Sequence, residues 1–206
     1  MALVKLNNRG VRSATTFGSI SALGEMRFIK KQTASSSSTI SFVDGTSDVV
    51  LDDTYKEYLF TFKDIHPETD NVNFSFQADT GTNTNYNQTI TSTYFNAYHY
   101  EDDSQTSLGY ETDKDLAQST SFQMLGRRVG NDNDQQISGT LKIFNPSSSV
   151  FVKHFMAIMN EAHYQDNLFN NYIAGYFNTT TALTRFQFKM SSDEIDAGTI
   201  SLYGIS

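Results

Sequence analysis

In three separate stretches a large apolar side chain recurs at every second position, a spacing that fits extended chain with one face against a core and no helix. Tyr58, Phe60 and Phe62 alternate with Glu57, Thr61 and Lys63, and Leu59 is the one apolar residue on the polar side. Val72, Phe74 and Phe76 alternate with Asn73, Ser75 and Gln77, and Phe186, Phe188 and Met190 with Gln187 and Lys189. Phe60, Phe74 and Phe188, each mid-run on the apolar side, are therefore expected in the core. No segment keeps a helical period for long.

The remaining segments follow the same grammar of short apolar runs and polar punctuation. Met26 to Thr33 and Thr39 to Val43 flank the small-residue linker Ala34 to Ser38, which reads as a hairpin loop. Thr91 to Tyr100 is β-branched and aromatic, Glu101 to Asp115 reads as an acidic surface excursion, and Leu116 to Leu125 fits a helical turn or a strand. The loop Gly130 to Asp134 feeds a strand from Ile137 to Phe144 that Asn145-Pro146-Ser147 ends, and Ile200 and Leu202 belong to the closing strand. Val150 to Met159 and Tyr172 to Phe177 are apolar on both faces, as strands are when a core covers one side and a neighbouring subunit the other. About eight to ten strands at this spacing predict an all-β fold, an antiparallel β-sandwich of jelly-roll type over residues 25–206, with an extended N-terminal arm over residues 1–24.

Charge separates the arm from the body. Residues 1–31 carry six Lys/Arg against one acid, a balance of +5, so with 15 Lys/Arg and 23 Asp/Glu in all, the rest carries nine against 22, or −13. An acidic body lacks the clustered Lys/Arg that a nucleic-acid backbone requires, so no nucleic-acid partner is expected. No apolar run reaches the length of a membrane-spanning helix, and no membrane partner is expected. The Ser-rich, Arg-bearing, acid-free start also has the composition of an organelle transit peptide. Its irregular apolar and basic residues, Leu3, Val4, Lys5, Leu6, Arg9, Val11, Arg12 and Phe17, suit a docking arm better than a strand of the main sheets.

With no Cys, disulfide frameworks, thiolate metal sites and cysteine nucleophiles are excluded together. The nucleophile-elbow, phosphate-loop, dinucleotide and zinc-protease signatures are also missing, so no enzymatic activity and no cofactor are expected. One constellation suggests metal chemistry: His99 and Glu101, two apart on a strand, with His154 or His163, as in two-His-one-carboxylate iron sites. A second is Asn131 to Asp134 with Gln136, which opens like a calcium loop but has Ile137 and Ile143 where that loop needs Gly and Glu. Asp52-Asp53, Asp102-Asp103 and Asp193-Glu194 are adjacent pairs, unsuited to flanking a scissile bond, and read as solubilising charges. The run Tyr94 to Tyr100 suits core and subunit packing first and a sugar-stacking platform second.

Several segments together resemble a family of virion structural proteins of marine tailed phages. They are the opening Lys5-Leu6-Asn7-Asn8-Arg9, the stretches Tyr55 to Phe76, Tyr94 to Ser104, Leu116 to Gln123, Ile137 to Ser148, Lys153 to Asn160 and Ile173 to Leu183, and the closing Ile195-Asp196-Ala197-Gly198-Thr199-Ile200 with Leu202-Tyr203-Gly204. Asp193-Glu194 departs from the pattern, since look-alikes are expected to carry Gly there. The resemblance implies a β-sandwich displayed on a phage particle, a capsid decoration or cement protein on the outside of the head. Its partners would be the major capsid protein and other copies of itself, a trimer among the arrangements considered. The alternatives are a tail or fibre component touching a host glycan and, further off, a jelly-roll non-haem iron oxygenase.

Overall fold

The computed structural model describes residues 26–206, and all of its paired strands run antiparallel. In chain order they are β1 (Met26–Thr33), β2 (Ile40–Val43), β3 (Glu57–Pro67), β4 (Val72–Thr80), β5 (Ile90–Tyr100), β6 (Thr106–Tyr110), β7 (Gln123–Val129), β8 (Ile137–Phe144), β9 (Lys153–His163), β10 (Asn167–Phe177), β11 (Leu183–Met190) and β12 (Ile195–Ile205). One continuous run has the order β6-β5-β10-β9-β8-β3-β12-β1, and a shorter one the order β7-β4-β11-β2. The pair Val129 and His163, between β7 and β9, joins the two runs into a sheet that nearly closes in a barrel-like shape. The all-β, antiparallel expectation is met; this strand order does not by itself establish the jelly-roll wiring. The arm, with its eight docking candidates, lies outside the described residues.

The interior follows from the period-2 aromatics. Phe188 on β11 meets Phe60 at 5.1 Å and Phe62 at 5.2 Å from the facing run, and Phe42, Phe74 and Phe76 at 6.2–6.3 Å in its own. Phe60, Phe74 and Phe188 are all fully buried, as expected. Most of these rings meet edge to face, the arrangement their quadrupoles prefer.

Five expectations need correction. Met26–Thr33 and the strand after Ala34 to Ser38 form no hairpin: β1 pairs with β12 and β2 with β11, so the linker carries the chain from one run to the other. Phe42 of β2 packs on Phe60 at 5.3 Å, and that burial outweighs local pairing. The strands number twelve among the described residues. The acidic excursion contains β6, and Leu116 to Leu125 is mostly loop until β7 begins at Gln123. Val150 and Phe151 precede β9, in a turn where the Ser148 hydroxyl accepts both backbone N–H groups.

The two outer surfaces are treated differently. On β4, Gln77 and Asp79 point away from the ring core yet are fully buried, because loops fold across them. The Gln77 amide donates to the carbonyls of Gln88, Thr120 and Ser121, and the Asp79 carboxylate accepts from the N–H groups of Thr80 and Tyr86. Over β9, β10, β5 and β6 no such cover exists among the described residues.

Candidate interaction face

Register, read strand by strand, assembles this bare surface. On β9, Lys153, Phe155, Ala157, Met159, Glu161 and His163 point inward, and His154, Met156, Ile158 and Asn160 outward. Ile158 lies opposite Tyr172 of β10, Tyr172 opposite Phe95 of β5, and Phe95 opposite Tyr110 of β6, so one apolar row crosses four strands. Phe95 and Tyr172 stack at 5.0 Å, 4° from parallel. Beside this row stand Met156 with Ala174 on one side and Leu108 with Ala97 on the other. Met156 is 56% exposed, Ile158 50% and Leu108 72%, high values for side chains this apolar. At one end His154, Tyr176, Met156 and Phe144 line an open depression of about 390 Å³.

No Asp or Glu stands at an outward position of these four strands; the acids gather at the rim. Asp103 there accepts from the His99 ring at 3.0 Å, and Asp115 accepts the Tyr110 hydroxyl at 2.6 Å. The apolar-on-both-faces reading of Val150 to Met159 and Tyr172 to Phe177 therefore locates part of this surface. The reading included Phe95 in the run Tyr94 to Tyr100 but missed Leu108 and Tyr110, because β6 looked like loop.

Beneath the face lies a polar cluster in the interior. The carboxyl of Glu161, fully buried, accepts the backbone N–H of Arg127 at 2.9 Å and the Asn171 amide at 3.1 Å through one oxygen. Burial pushes this carboxyl well above the ordinary carboxylate range, against those two hydrogen bonds and the Arg127 charge. The Arg127 guanidinium itself reaches Glu111 at 3.2 Å and lies 5.1 Å from the Phe169 ring centroid. Burial, helped by the charges of Arg127 and Arg128, pushes the His163 imidazole down to about 4. Lys153, also buried, donates to the Thr179 carbonyl at 3.1 Å, and desolvation lowers its pKa. None of these carboxyl and amide groups was singled out from sequence, although the alternation along β9 puts Glu161 on the same face as Phe155.

The chemical constellations do not assemble. His99 is outward on β5, in the row of Leu168 and Ala162, whereas His163 is inward, in the row of Asn167 and Tyr100. His154 lies at the other end of β9, and Glu101 sits in the turn after β5. The proposed iron ligands are thus split between two faces. In the loop after β7, the Asp132 carbonyl lies 3.3 Å from the His66 ring, and Asn133 and Gln136 line an open depression of about 370 Å³ with Asp64 and Asp196. Among the described residues no three His, Asp or Glu side chains converge as a metal would require. Asp52 and Asp102 accept backbone N–H groups two residues on, and Asp193 accepts the Thr69 hydroxyl at 2.5 Å, so each acidic pair supports a turn. Tyr94 is buried in the core, while Phe95, Ala97 and His99 of that run face out.

Comparison with protein-family models, with curated proteins and with solved structures found no match in any of the three.

Proposed function

We propose that this chain is a virion structural protein of a tailed phage, a decoration or cement protein seated on the outside of the head and without enzymatic activity. The resemblance carried by the opening Lys5 to Arg9 segment and the closing Ile195 to Gly204 segment supplies the particle. The observation that carries the assembly role is the bare apolar row Ile158, Tyr172, Phe95 and Tyr110 on an otherwise acidic body. An exposed patch of this extent marks an interaction surface in a soluble fold. In this reading the basic arm, with Leu3, Val4, Lys5, Leu6, Arg9, Val11, Arg12 and Phe17, lies on the major capsid protein, and the body meets other copies of itself.

Electron cryo-microscopy of the particle carrying this chain tests the proposal: density for the sandwich on the outer head surface, with the arm running beneath a neighbour, is the expected result. Density on the tail or a fibre would replace it with the glycan-contacting alternative, to which the Phe95 and Tyr172 rings lend a stacking surface. Absence from the particle would overturn both.

A further inference from the structure

We propose that the outer face of β9, β10, β5 and β6 is the docking site of a second copy of this chain, the two faces meeting across a two-fold axis that lies in the contact plane. The inference deepens the decoration reading by naming the partner of one surface, and it concerns the purified chain alone.

Charge selects the occupant. Residues 32–206 carry nine Lys/Arg and 22 Asp/Glu, so most approaches of two copies set acid against acid. On this face the apolar and neutral side chains of Met156, Ile158, Tyr172, Phe95 and Leu108 stand clear of carboxylates. A basic partner would find no acid here to pair with, and an acidic one no lysine or arginine on β9, β10, β5 or β6 at an outward position. A neutral, apolar surface of the same outline is what fits, and the chain presents one of its own.

Area agrees. The face is four strands wide, with β5, β9 and β10 eleven residues long and β6 five, or roughly 600 Å² per copy, and β8, whose Lys142 stands beside Met156 and pairs with Glu57, bounds it. Two copies would bury about 1,200 Å², the lower edge of the range of specific interfaces. A two-fold contact is self-complementary, so the apolar band from Met156 through Tyr172 and Phe95 to Leu108 meets its own image. The Phe95 and Tyr172 rings, already stacked on one another, lose little freedom on docking. The contrast with β4 is the independent sign: there the chain covers its own outer surface with loops and satisfies every group, whereas here it leaves aliphatic and aromatic carbon in water.

Sedimentation equilibrium and light scattering on the full chain test this, at protein concentrations spanning about 1–100 µM, the weak-affinity range that suits an interface at the small end of the size classes. The expected result is a dimer, or a larger closed assembly containing this contact, that high salt does not dissociate. Ile158→Asp with Phe95→Asp should raise the dissociation constant by about 100-fold or more, as hot-spot losses do. Because both side chains point outward, circular dichroism and melting should stay those of a folded body. Val150→Asp with Phe151→Asp, exposed apolar residues outside the face, should leave association unchanged. A monomer across the whole range, or a dimer indifferent to Ile158→Asp with Phe95→Asp, overturns the contact without touching the head location. A monomer that retains glycans through Phe95 and Tyr172 overturns it in favour of a sugar occupant.

Discussion

The Glu161 carboxyl is held by the backbone N–H of Arg127, at 2.9 Å, while the Arg127 guanidinium turns to Glu111. Thus β7 is tied to β9 through an acid in the interior that lacks a direct side-chain cation. Its other carboxyl oxygen has no partner among the described residues.

Replacing Glu161 should therefore stabilise the protein. Its folded pKa is raised, so its contribution is full below the ordinary value of 4.5 and falls as pH rises above it. Glu161→Gln keeps an oxygen to accept the Arg127 and Asn171 donors and removes the buried ionisation. Thermal melts between pH 4 and pH 8 should show little difference at the acidic end and a growing advantage for the variant above it. A gain of about 1 kcal/mol would appear as roughly 2–4 °C. Equal or lower stability at neutral pH would contradict this account.

His163 acts in the opposite direction. Its folded pKa lies near 4 against an ordinary 6.5, so the unfolded chain takes up a proton first and stability falls as pH drops through that window. His163→Leu keeps an apolar body against Phe169, whose ring centre lies 5.0 Å away, and removes the titration. Urea midpoints measured from pH 7.5 to pH 4.5 should decline more gently for the variant than for the parent. Parallel declines would assign the acid sensitivity to other groups.

Phe188→Ala should cost about 3–5 kcal/mol, because it empties a site bordered by five other rings that cannot all collapse inward. Phe151→Ala, at an exposed turn, should stay within about 0.5 kcal/mol. Urea unfolding followed by circular dichroism compares them; similar costs for both would mean that the register of β11 is wrong.

Gly198 has φ +114°, at a bulge where β12 passes β3, and a Cβ there would lie 2.4 Å from the Asp64 carbonyl oxygen. Gly198→Ala should destabilise by about 1–3 kcal/mol, the range of single strained backbone positions. Gly109→Ala, where a Cβ meets nothing within 4 Å, is the matched control. Indistinguishable chemical denaturation curves would remove the strain argument. The bulge also gives the closing Ile195 to Ile200 segment a structural reason for its sequence. At the neighbouring turn, Asp193 has φ 55°, the left-handed conformation that the expected Gly would supply, and its carboxylate holds Thr69 instead.

Strand character was legible wherever one face met the core and the other met water, as along Tyr58 to Lys63, because side chains alternate strictly about an extended backbone. Phe60, Phe74 and Phe188 could be assigned to the interior on that ground alone. The signal vanished in β6, whose five residues are all exposed, and in β7, where Gly126 and two arginines interrupt the pattern. Half of the candidate face could be read from β9 and β10, where apolar residues occupy both sides. The other half needed β5 and β6 to be set in register.

By itself the sequence determined that the chain is all-β, that the aromatic residues alternating along its half-buried strands lie in the core, and that no cysteine chemistry operates. These follow from residue type and local spacing, which act through neighbours along the chain. The tertiary structure alone decided that β1 and β2 part to opposite runs, that His99 and His163 face opposite sides, and that Ile158, Tyr172, Phe95 and Tyr110 line up across four strands. Each of these depends on pairing between segments far apart in sequence, where a one-residue change of register would turn every side chain to the other face.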